Sequence, residues 1–324
     1  MTGPVVVLAG GSGGAKLARG MLDAVDRPED LVVVVNTGDD VEIYGAHVSP
    51  DPDLVTFWLA DRIDARGWGI EADTFQTMDG LRDLGAEVWF NLGDRDLAIG
   101  LERARRLGQG ERLTEAHAAI ATALGVDARV LPMSDQPVRT RVFSHERWWS
   151  FQEFMIQRRA EGPVEEVEFA GAAAAAPTPE VLAAIAEARA IVIGPSNPVI
   201  SIGPILALPG LREALEASPA KVVAVSPIVR GGVLKPATVP LMQWAGQPLS
   251  ATGIAAYYGD VLDGLVADEQ LDDSGPARLS EAGRRAGRGP SGAVPVLETD
   301  VLMGDAGGRR RVAEQALEFA LALR

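Results

Sequence analysis

A glycine-rich segment close to the N-terminus, preceded by a short apolar run, limits this chain to a small number of folds. Residues 5–8 are all apolar, residues 10–16 read GGSGGAK, and residues 15–25 have the composition and spacing of a helix. A second β-branched run follows at residues 31–35 and ends in the polar sequence NTGDD. A strand, a helix and a strand in this order predict two parallel strands joined by a right-handed crossover.

The same alternation of strands and helices continues along the chain. Patterns typical of short strands occur at residues 88–92, 129–131, 191–193, 221–225 and 294–303, and helical patterns occupy residues 98–107, 115–124, 180–188 and 311–323. This order predicts an α/β fold with a doubly wound, mostly parallel sheet of the Rossmann type. We expect a single domain over residues 1–324, because the strand pattern resumes after each interruption.

Two segments interrupt this alternation. Residues 148–159, WWSFQEFMIQRR, place bulky apolar side chains at helical spacing and predict a helical insertion lobe over about residues 143–175, outside the sheet. Residues 268–293 are first acidic and then rich in Gly, Arg, Ser and Pro, with few large apolar side chains. Such a composition has little apolar surface to bury, so it predicts a mobile surface excursion.

Composition and charge exclude several classes of function. The formal net charge of −15 disfavours nucleic acid as a partner, since binding to its phosphates requires a cationic surface. The chain has no cysteine, which excludes disulfides, iron–sulfur clusters, thiolate zinc sites and cysteine nucleophiles, and its three scattered histidines do not predict a zinc site. The sequence has no uncharged apolar run of membrane-spanning length and no signal peptide, so we expect a cytoplasmic protein without a membrane partner.

The glycine-rich segment is a candidate anion site. Unpaired amides and the helix dipole favour a phosphate at the start of a helix, and glycines let the backbone approach it closely. The segment is not a Walker A loop, and Lys16 stands where a GxGxxG fingerprint has its third glycine. A phosphate site, a dinucleotide site and a tight turn without a ligand therefore all remain open.

A pair of aspartates follows the second predicted strand. Asp39 and Asp40 would lie at the carboxyl edge of the sheet, where open α/β folds bind their ligands. Proteins usually hold Mg²⁺ with one or two carboxylates together with substrate phosphate oxygens and waters. The pair therefore predicts a magnesium site, and the alternative is that both aspartates only cap a turn.

Four further polar segments follow apolar runs, although by composition alone the first two are more typical of a surface loop than of a site. They are HVSPD from His47, GDRD from Gly93, GPSNP from Gly194 and SPIVRGG from Ser226. GPSNP is the strongest of them, because it offers small hydrogen-bonding groups directly after a strand, where bulky side chains would block a ligand. The concentration of Gly, Ser, Asn and Asp at strand ends favours a ligand site over a set of unrelated turns.

Taken together, these segments resemble the 2-phospho-L-lactate transferases of coenzyme F420 biosynthesis, a family that includes the actinobacterial phosphoenolpyruvate transferases. The matching segments are GGSGGAKL from Gly10, NTGDD from Asn36, HVSPD from His47, FNLGDRDLA from Phe90, LPMSDQPVRT from Leu131, IGPSNPVISIGPIL from Ile193, VAVSPIVRGGVLKPA from Val223 and VLETDVLM from Val296. They cover nearly the whole chain in order, so the combination is far more specific than any one motif. Arg95 departs from the lysine of many relatives but keeps the charge.

The resemblance implies a transferase with a doubly wound core, a helical insertion, a magnesium ion and a homodimeric assembly. It implies a guanosine diphosphate donor whose phosphoenolpyruvyl, phospholactyl or phosphoglyceryl group moves to a deazaflavin alcohol, 7,8-didemethyl-8-hydroxy-5-deazariboflavin, with release of GMP. On the matching motifs, the candidate acceptor-binding residues are Asp51 and Arg95. The candidate residues for the donor phosphates are Gly11, Ser12, Gly13, Lys16, Ser196, Asn197 and Arg230.

The expected reaction is a direct displacement at phosphorus, which depends on in-line positioning and charge neutralisation more than on covalent catalysis. The candidate catalytic residues are Asp39, Asp40 and Asp51, with Asp39 and Asp40 as the metal ligands. Two other classes stay open: a nucleotide or nucleotide-sugar binding regulatory protein on a related core, and a nicotinamide oxidoreductase. The acceptor motifs argue against the first class, and the missing third glycine argues against the second.

Overall fold

The computed structural model describes residues 3–235, 237–271 and 294–323. Its strands are β1 (Val5–Ala9), β2 (Leu31–Val35), β3 (Val41–Ile43), β4 (Ala46–Val48), β5 (Arg129–Pro132), β6 (Arg139–Ser144), β7 (Arg147–Ser150), β8 (Glu166–Ala170), β9 (Ala190–Ile193), β10 (Val222–Val225), β11 (Ile228–Val229), β12 (Gly232–Val233), β13 (Gly264–Ala267) and β14 (Val296–Glu298). Its helices are α1 (Gly11–Ala24), α2 (Pro50–Leu59), α3 (Gln76–Asp83), α4 (Asp94–Gly108), α5 (Leu113–Ala123), α6 (Phe151–Ile156), α7 (Pro179–Glu187), α8 (Gly203–Leu206), α9 (Leu211–Ala217), α10 (Thr238–Trp244), α11 (Ala251–Tyr258) and α12 (Ala306–Ala322). A π-helical segment, Pro198–Ile202, directly precedes α8.

Seven of the strands form the central sheet, in the order β14-β13-β10-β9-β1-β2-β5. Each neighbouring pair runs parallel. This is the strand order of the doubly wound Rossmann fold with one strand added beside β13. The prediction of a doubly wound, mostly parallel α/β sheet is confirmed. The direction of winding reverses between β1 and β9, and folds of this kind bind ligands at the carboxyl ends of the strands on either side of that point.

Helices cover both faces of the sheet, which explains why its central strands are uniformly apolar. On one face Val5 of β1 lies in the same core cluster as Leu17 of α1 and Val312 of α12. On the other face Val6 lies in a cluster with Ile185 of α7. Successive side chains of a strand point to opposite faces, so a strand that is buried on both sides has no position for a polar residue.

The chain between β9 and α9 is one of its most apolar stretches. Val199, Ile202 and Ile205 are fully buried in the core there. Within the described ranges no helix alone has the length and apolarity to cross a membrane, although the pair Pro198–Leu206 and Leu211–Ala217, bent by 83°, meets that test when its two members are taken together.

The insertion lobe is present outside the central sheet, but it is built mainly from strands, which corrects the prediction of a helical lobe. β7, β6 and β8 form an antiparallel sheet in that order, and α6 is a helix of only 6 residues. Ser150 and Glu153 form a capping box that starts α6 at Phe151. The two tryptophans before this cap therefore fall in β7, and a pattern that resembled one helix divides into a strand and a helix.

Three predicted boundaries also differ from the structure. Residues 88–92 were expected to form a strand, but they have no regular structure, and Leu92 packs in a small cluster with Ala46 and Val48 of the β3–β4 hairpin. The helix α1 begins at Gly11, so the glycine-rich segment is the first turn of the helix and not a loop before it. The closing strand is limited to Val296–Glu298.

The predicted excursion over residues 268–293 lies mostly outside the described residues, which stop at residue 271 and resume at residue 294. Its first residues are attached to the fold: the Glu269 carboxylate accepts a hydrogen bond of 2.6 Å from the backbone N–H of Ala251, and Leu271 packs against the core. The mobility of the segment stays a prediction.

A buried histidine links α2 to α5 and makes stability dependent on pH. His117 is fully buried, and its Nε2 lies 3.1 Å from the Thr56 hydroxyl. Burial, with a contribution from the charge of Arg103, lowers the pKa of His117 from 6.5 to about 3. The folded state therefore favours the neutral ring, and the resulting stabilisation is complete above pH 6.5 and lost as the pH falls towards 3.

We expect the wild-type protein to lose about 2 kcal/mol of unfolding free energy relative to a His117→Gln variant between pH 7 and pH 5, because its unfolded state takes up a proton that the folded state refuses. Chemical denaturation of both proteins across this range measures the difference. A His145→Gln variant, which changes an exposed histidine, is the control for the substitution itself. A difference that stays constant with pH would contradict the assignment.

Candidate active site

The centre of the site is Asp51, in the first turn of α2. Its Oδ1 accepts a hydrogen bond of 2.7 Å from the backbone N–H of Gly11, and its Oδ2 accepts one of 2.9 Å from the side-chain amide of Asn36. Gly11 begins α1 after β1, and Asn36 directly follows β2. A single buried carboxylate therefore ties together the carboxyl ends of two neighbouring strands, next to the point where the winding of the sheet reverses.

The NTGDD segment after β2 forms a tight turn that Asn36 stabilises. The side-chain oxygen of Asn36 accepts a hydrogen bond of 2.7 Å from the backbone N–H of Gly38. Asp40 is held from the other side, because its Oδ1 accepts a hydrogen bond of 2.7 Å from Ser49 and its Oδ2 lies 3.1 Å from Nε2 of His47. The HVSPD segment therefore positions Asp40 through His47 and Ser49 and supplies Asp51 itself.

Asp39 differs from its two neighbours because one of its oxygens has no partner. Asp39 is 7% exposed, and its Oδ1 is buried without a hydrogen bond to any described residue. The hydroxyls of Thr37 and Thr140 are buried and unpartnered as well. Thr140 lies against the same turn, since its backbone N–H donates to the carbonyl of Gly38 at 2.7 Å. Unpaired buried polar atoms are costly in a folded protein, so this group is suited to a polar ligand or a cation.

Three carboxylates share this small buried volume, and two of them, Asp39 and Asp51, have raised pKa values. Burial, and then the charge of Asp51, raises the pKa of Asp39 well above its ordinary value. Burial also raises the pKa of Asp51 to about 6, against the opposing hydrogen bonds from Asn36 and Gly11. The charge of Asp40 adds to both shifts. A cation placed here would relieve the repulsion and lower both pKa values.

The donor set fits an open magnesium site and not a closed metal cage. Within the described part of the chain, no group of three His, Cys, Asp or Glu side chains is placed to hold a metal ion. Mg²⁺ does not require such a group, since it commonly binds one or two carboxylates and completes its shell with phosphate oxygens and water. The unpartnered oxygen of Asp39 and the carboxylate of Asp40 agree with that kind of site.

The glycines of the first turn of α1 are explained first by close packing against the GPSNP segment. A Cβ atom on Gly13 would lie 2.0 Å from the carbonyl oxygen of Pro195. The hydroxyl of Ser196 accepts a hydrogen bond of 3.2 Å from the backbone N–H of Gly10. The side-chain oxygen of Asn197 accepts hydrogen bonds from two backbone amides of the π-helical segment. Ser196 and Asn197, which were predicted to bind the phosphates of the donor substrate, therefore already have structural contacts. Their role towards a ligand stays a prediction.

The predicted basic residues are not brought together. Lys16 lies on α1, six positions after Gly10. Arg95 is exposed at the start of α4, where its Nη1 donates to the carbonyl of Glu71 at 2.9 Å. Arg230 lies at the turn between β11 and β12 and lines a cavity of about 550 Å³ with Asp268, Glu298, Thr299 and Asp300. Within the described residues, Arg95 and Arg230 form no hydrogen bond or ion pair with the three carboxylates.

Comparison with known proteins identifies the family. The family model described as 2-phospho-L-lactate transferase CofD matches residues 5–285. The chain belongs to this family. It is 41% identical over 267 residues to the 2-phospho-L-lactate transferase of Methanosarcina mazei, which covers 82% of this chain and 87% of that protein. It is 40% identical over 304 residues to the phosphoenolpyruvate transferase of Kitasatospora aureofaciens, with 92% and 93% covered.

The solved structures agree with the fold. A crystal structure of a Bacillus halodurans member of the UPF0052 family superposes with a TM-score of 0.60, at 19% identity, over 98% of this chain and 99% of that one. At this identity the likeness shows the α/β fold alone. The family match shows that the protein is a transferase, and it supports the assignment to coenzyme F420 biosynthesis that the motifs indicated.

Sequence analysis missed one residue that supports the transferase site. Arg103 of α4 is fully buried and makes an ion pair with Asp53 of α2 through both terminal nitrogens. It also donates a hydrogen bond of 2.9 Å to the backbone carbonyl of His47. Arg103 therefore fixes the segment that carries His47, Ser49 and Asp51. No signal in the sequence separates it from Arg105, which is exposed, or from Arg106, which is half-buried, on the same helix.

Proposed function

We propose that the protein transfers a phosphoenolpyruvyl or 2-phospholactyl group from a guanosine diphosphate donor to 7,8-didemethyl-8-hydroxy-5-deazariboflavin and releases GMP. The observation that carries this proposal is the buried group of Asp39, Asp40 and Asp51 beside the first turn of α1. A helix start favours a phosphate, and the carboxylates suit a cation and a hydroxyl nucleophile. Both requirements of a phosphoryl-type transfer therefore meet at one edge of the sheet.

The proposed step forms one bond and breaks one bond at phosphorus. The terminal hydroxyl oxygen of the acceptor's ribityl chain attacks the phosphorus that bears the three-carbon acid. The bond from this phosphorus to the GMP oxygen breaks, and the acceptor hydroxyl gives up its proton. We assign Asp51 as the acceptor of that proton, because a carboxylate with a pKa of about 6 is suited to general base catalysis near neutral pH.

Asp39 and Asp40 are the proposed ligands of Mg²⁺. A bound magnesium ion would neutralise charge on the donor phosphates and on the leaving GMP. The unpartnered Oδ1 of Asp39 and the fixed orientation of Asp40 support this assignment. Asp51 and Arg95 are proposed to contact the acceptor, and the amides of Ser12 and Gly13 to face the donor phosphates, since the Gly11 N–H already donates to Asp51.

The test is to incubate the pure protein with the deazaflavin alcohol, Mg²⁺ and guanosine diphosphate conjugates of lactate, enolpyruvate or glycerate, each in a separate reaction. We expect one conjugate to give a product heavier than the acceptor by the mass of its phospho-acid less one water, with an equal amount of GMP. Mass spectrometry of each mixture identifies the preferred acid. No product from any conjugate, together with tight binding of guanine nucleotide, would favour a regulatory protein instead.

A further inference from the structure

Three consecutive arginines, residues 309–311, lie in the first two turns of α12, and one of them differs from the others in its partners. Arg310 pairs with Glu314 at 2.6 Å, and Arg311 pairs with Asp300 at 3.7 Å. Arg309 has no carboxylate within 4.0 Å among residues 3–235, 237–271 and 294–323. The chain has 45 acidic and 30 basic residues, so most of its cations have an acid available. Arg309 is therefore a cation without an ion-pair partner among the described residues, although the two arginines that follow it each have one.

Packing between α1 and α12 places Arg309 beside Lys16. A Cβ atom on Gly20 of α1 would lie 2.3 Å from the backbone carbonyl oxygen of Arg309, so the absence of a side chain there lets the start of α12 lie against α1. Gly20 is four residues after Lys16 and shares its face of the helix. The guanidinium of Arg309 is 4.9 Å from the centre of the Trp58 ring, and the Lys16 ammonium is 5.9 Å from the same ring.

A third cation, Lys235, lies near enough to Lys16 for its positive charge to lower the pKa of Lys16. Lys235 follows the β11–β12 hairpin, and its ammonium is 5.3 Å from the ring of Trp68, which is 55% exposed. Neither Lys16 nor Lys235 has a carboxylate within 4.0 Å in the part of the chain that the structure describes. We name Lys16, Lys235 and Arg309 the cation cluster.

In the described part of the chain, the cation cluster has positive charges without a neutralising carboxylate, and a neighbouring buried N–H group has no hydrogen-bond acceptor. Burial lowers the pKa of Lys16, and the positive charges of Arg309 and Lys235 lower it further, so the three groups repel one another. Trp58 is 8% exposed, and its indole N–H has no acceptor among the described residues. Three cations and a buried donor without acceptors form an environment that a polyanion would neutralise.

We propose that the cation cluster binds the diphosphate of the donor, with Arg309 as a phosphate ligand and Trp58 as the surface that supports it. The identification of the anion as a nucleoside diphosphate rests on the proposed function. A diphosphate matches the cluster because it offers several charged oxygens. Three cations, one of them the guanidinium fork of Arg309, bind these oxygens better than they bind a single carboxylate. Lys16 lies on the helix whose first turn contacts Asp51 through the Gly11 amide, so the phosphate on the guanosine side would lie in the cation cluster and the acid-bearing phosphate, which is attacked, would lie towards the carboxylates.

The proposal is tested by titrating GDP and inorganic pyrophosphate, separately, into the wild-type protein and into Arg309→Gln, Arg309→Lys and Arg310→Gln variants by calorimetry. We expect Arg309→Gln to weaken the binding of both probes by about 10-fold or more, since a lost charged hydrogen bond has effects of this size. Arg309→Lys should recover part of the affinity. Arg310→Gln is the matched control and should stay within about 2-fold of the wild type, because Arg310 is exposed and paired with Glu314.

Thermal melts of the four proteins show whether a loss of affinity reflects a loss of folding, and Arg309→Lys provides a second folded variant. Equal affinities for Arg309→Gln and Arg310→Gln would overturn the proposal, as would a wild-type protein that binds neither probe. Binding of pyrophosphate that depends on Arg309, without binding of GDP, would support the cation cluster as a diphosphate site and would overturn the guanosine donor. The two failures are therefore distinguishable.

Discussion

Replacing Asp39 with asparagine is expected to lower the turnover rate by about 10²-fold or more, in line with the loss of one well-placed electrostatic contact. The same change is expected to make the ligand-free protein more stable at neutral and alkaline pH. Both effects have one cause, since Asp39 is a buried negative charge whose pKa is raised by burial and by the charge of Asp51. The charge destabilises the empty site and becomes useful only when a cation and a phosphate are bound.

The stability effect has a definite dependence on pH. The pKa of Asp39 is raised above its ordinary value of 3.8, so the folded state binds this proton more tightly than the unfolded state does. Ionisation therefore costs stability at high pH, and this cost disappears as the pH falls below 3.8. The melting temperature of Asp39→Asn should exceed that of the wild type by the largest amount at pH 8, and the difference should shrink towards pH 4.

Steady-state rates across a magnesium titration and thermal melts from pH 4 to pH 8 measure both effects. Asp79→Asn is the control, because Asp79 is an exposed aspartate of α3 paired with Arg82. Full activity of Asp39→Asn with an unchanged dependence on magnesium would show that Asp39 only caps a turn.

Replacing Arg103 with leucine is expected to cost about 3–5 kcal/mol of unfolding free energy, which is the usual result of removing one partner of a buried ion pair. Asp53 would keep its position in a site where burial already raises its pKa against the opposing charge of Arg103. The carbonyl of His47 would lose its hydrogen bond as well. We expect the segment that carries Asp51 to loosen, and activity to fall together with stability.

Chemical denaturation of Arg103→Leu, Arg105→Leu and the double variant Arg103→Leu with Asp53→Leu tests this expectation. Arg105 lies on the same helix and pairs with Glu102 at the surface, so its loss should change stability by about 0.5 kcal/mol or less. The double variant should recover part of the loss, because it leaves no unpaired charge. Equal stabilities of Arg103→Leu and Arg105→Leu would contradict a structural role for the buried pair.

The sequence was sufficient to predict the central sheet and the aspartates beside it, for a physical reason. Strands such as β1 and β2 are buried on both faces, so their residues are apolar throughout and stand out from their surroundings. The carboxyl ends of parallel strands meet at one edge, so Asp39 and Asp40 could be placed there from their position after β2. Asp51 follows a hairpin strand outside this sheet, and it was predicted only from the family motif HVSPD.

The remainder depends on tertiary packing that local patterns do not encode. Arg103 and Arg105 have the same local setting, and only the contact between α4 and α2 buries one of them. Arg309 and Arg310 are neighbours, and only the approach of α12 to Gly20 gives Arg309 a separate environment. The insertion lobe was predicted as a helix because its bulky residues follow helical spacing without a break. In the structure a capping serine, Ser150, divides this pattern into a strand and a helix, and spacing alone does not show that division.

The most direct test of the account is to follow GMP release by the pure protein with a guanosine diphosphate conjugate, in the presence and absence of the deazaflavin alcohol and of Mg²⁺. The account predicts that GMP release requires both the acceptor and Mg²⁺. It also predicts one GMP for each molecule of deazaflavin phosphodiester formed. Release of GMP at the same rate without the acceptor would show a hydrolase, and binding of the conjugate without release would show a nucleotide-binding regulator. Either result would contradict transfer at the three carboxylates.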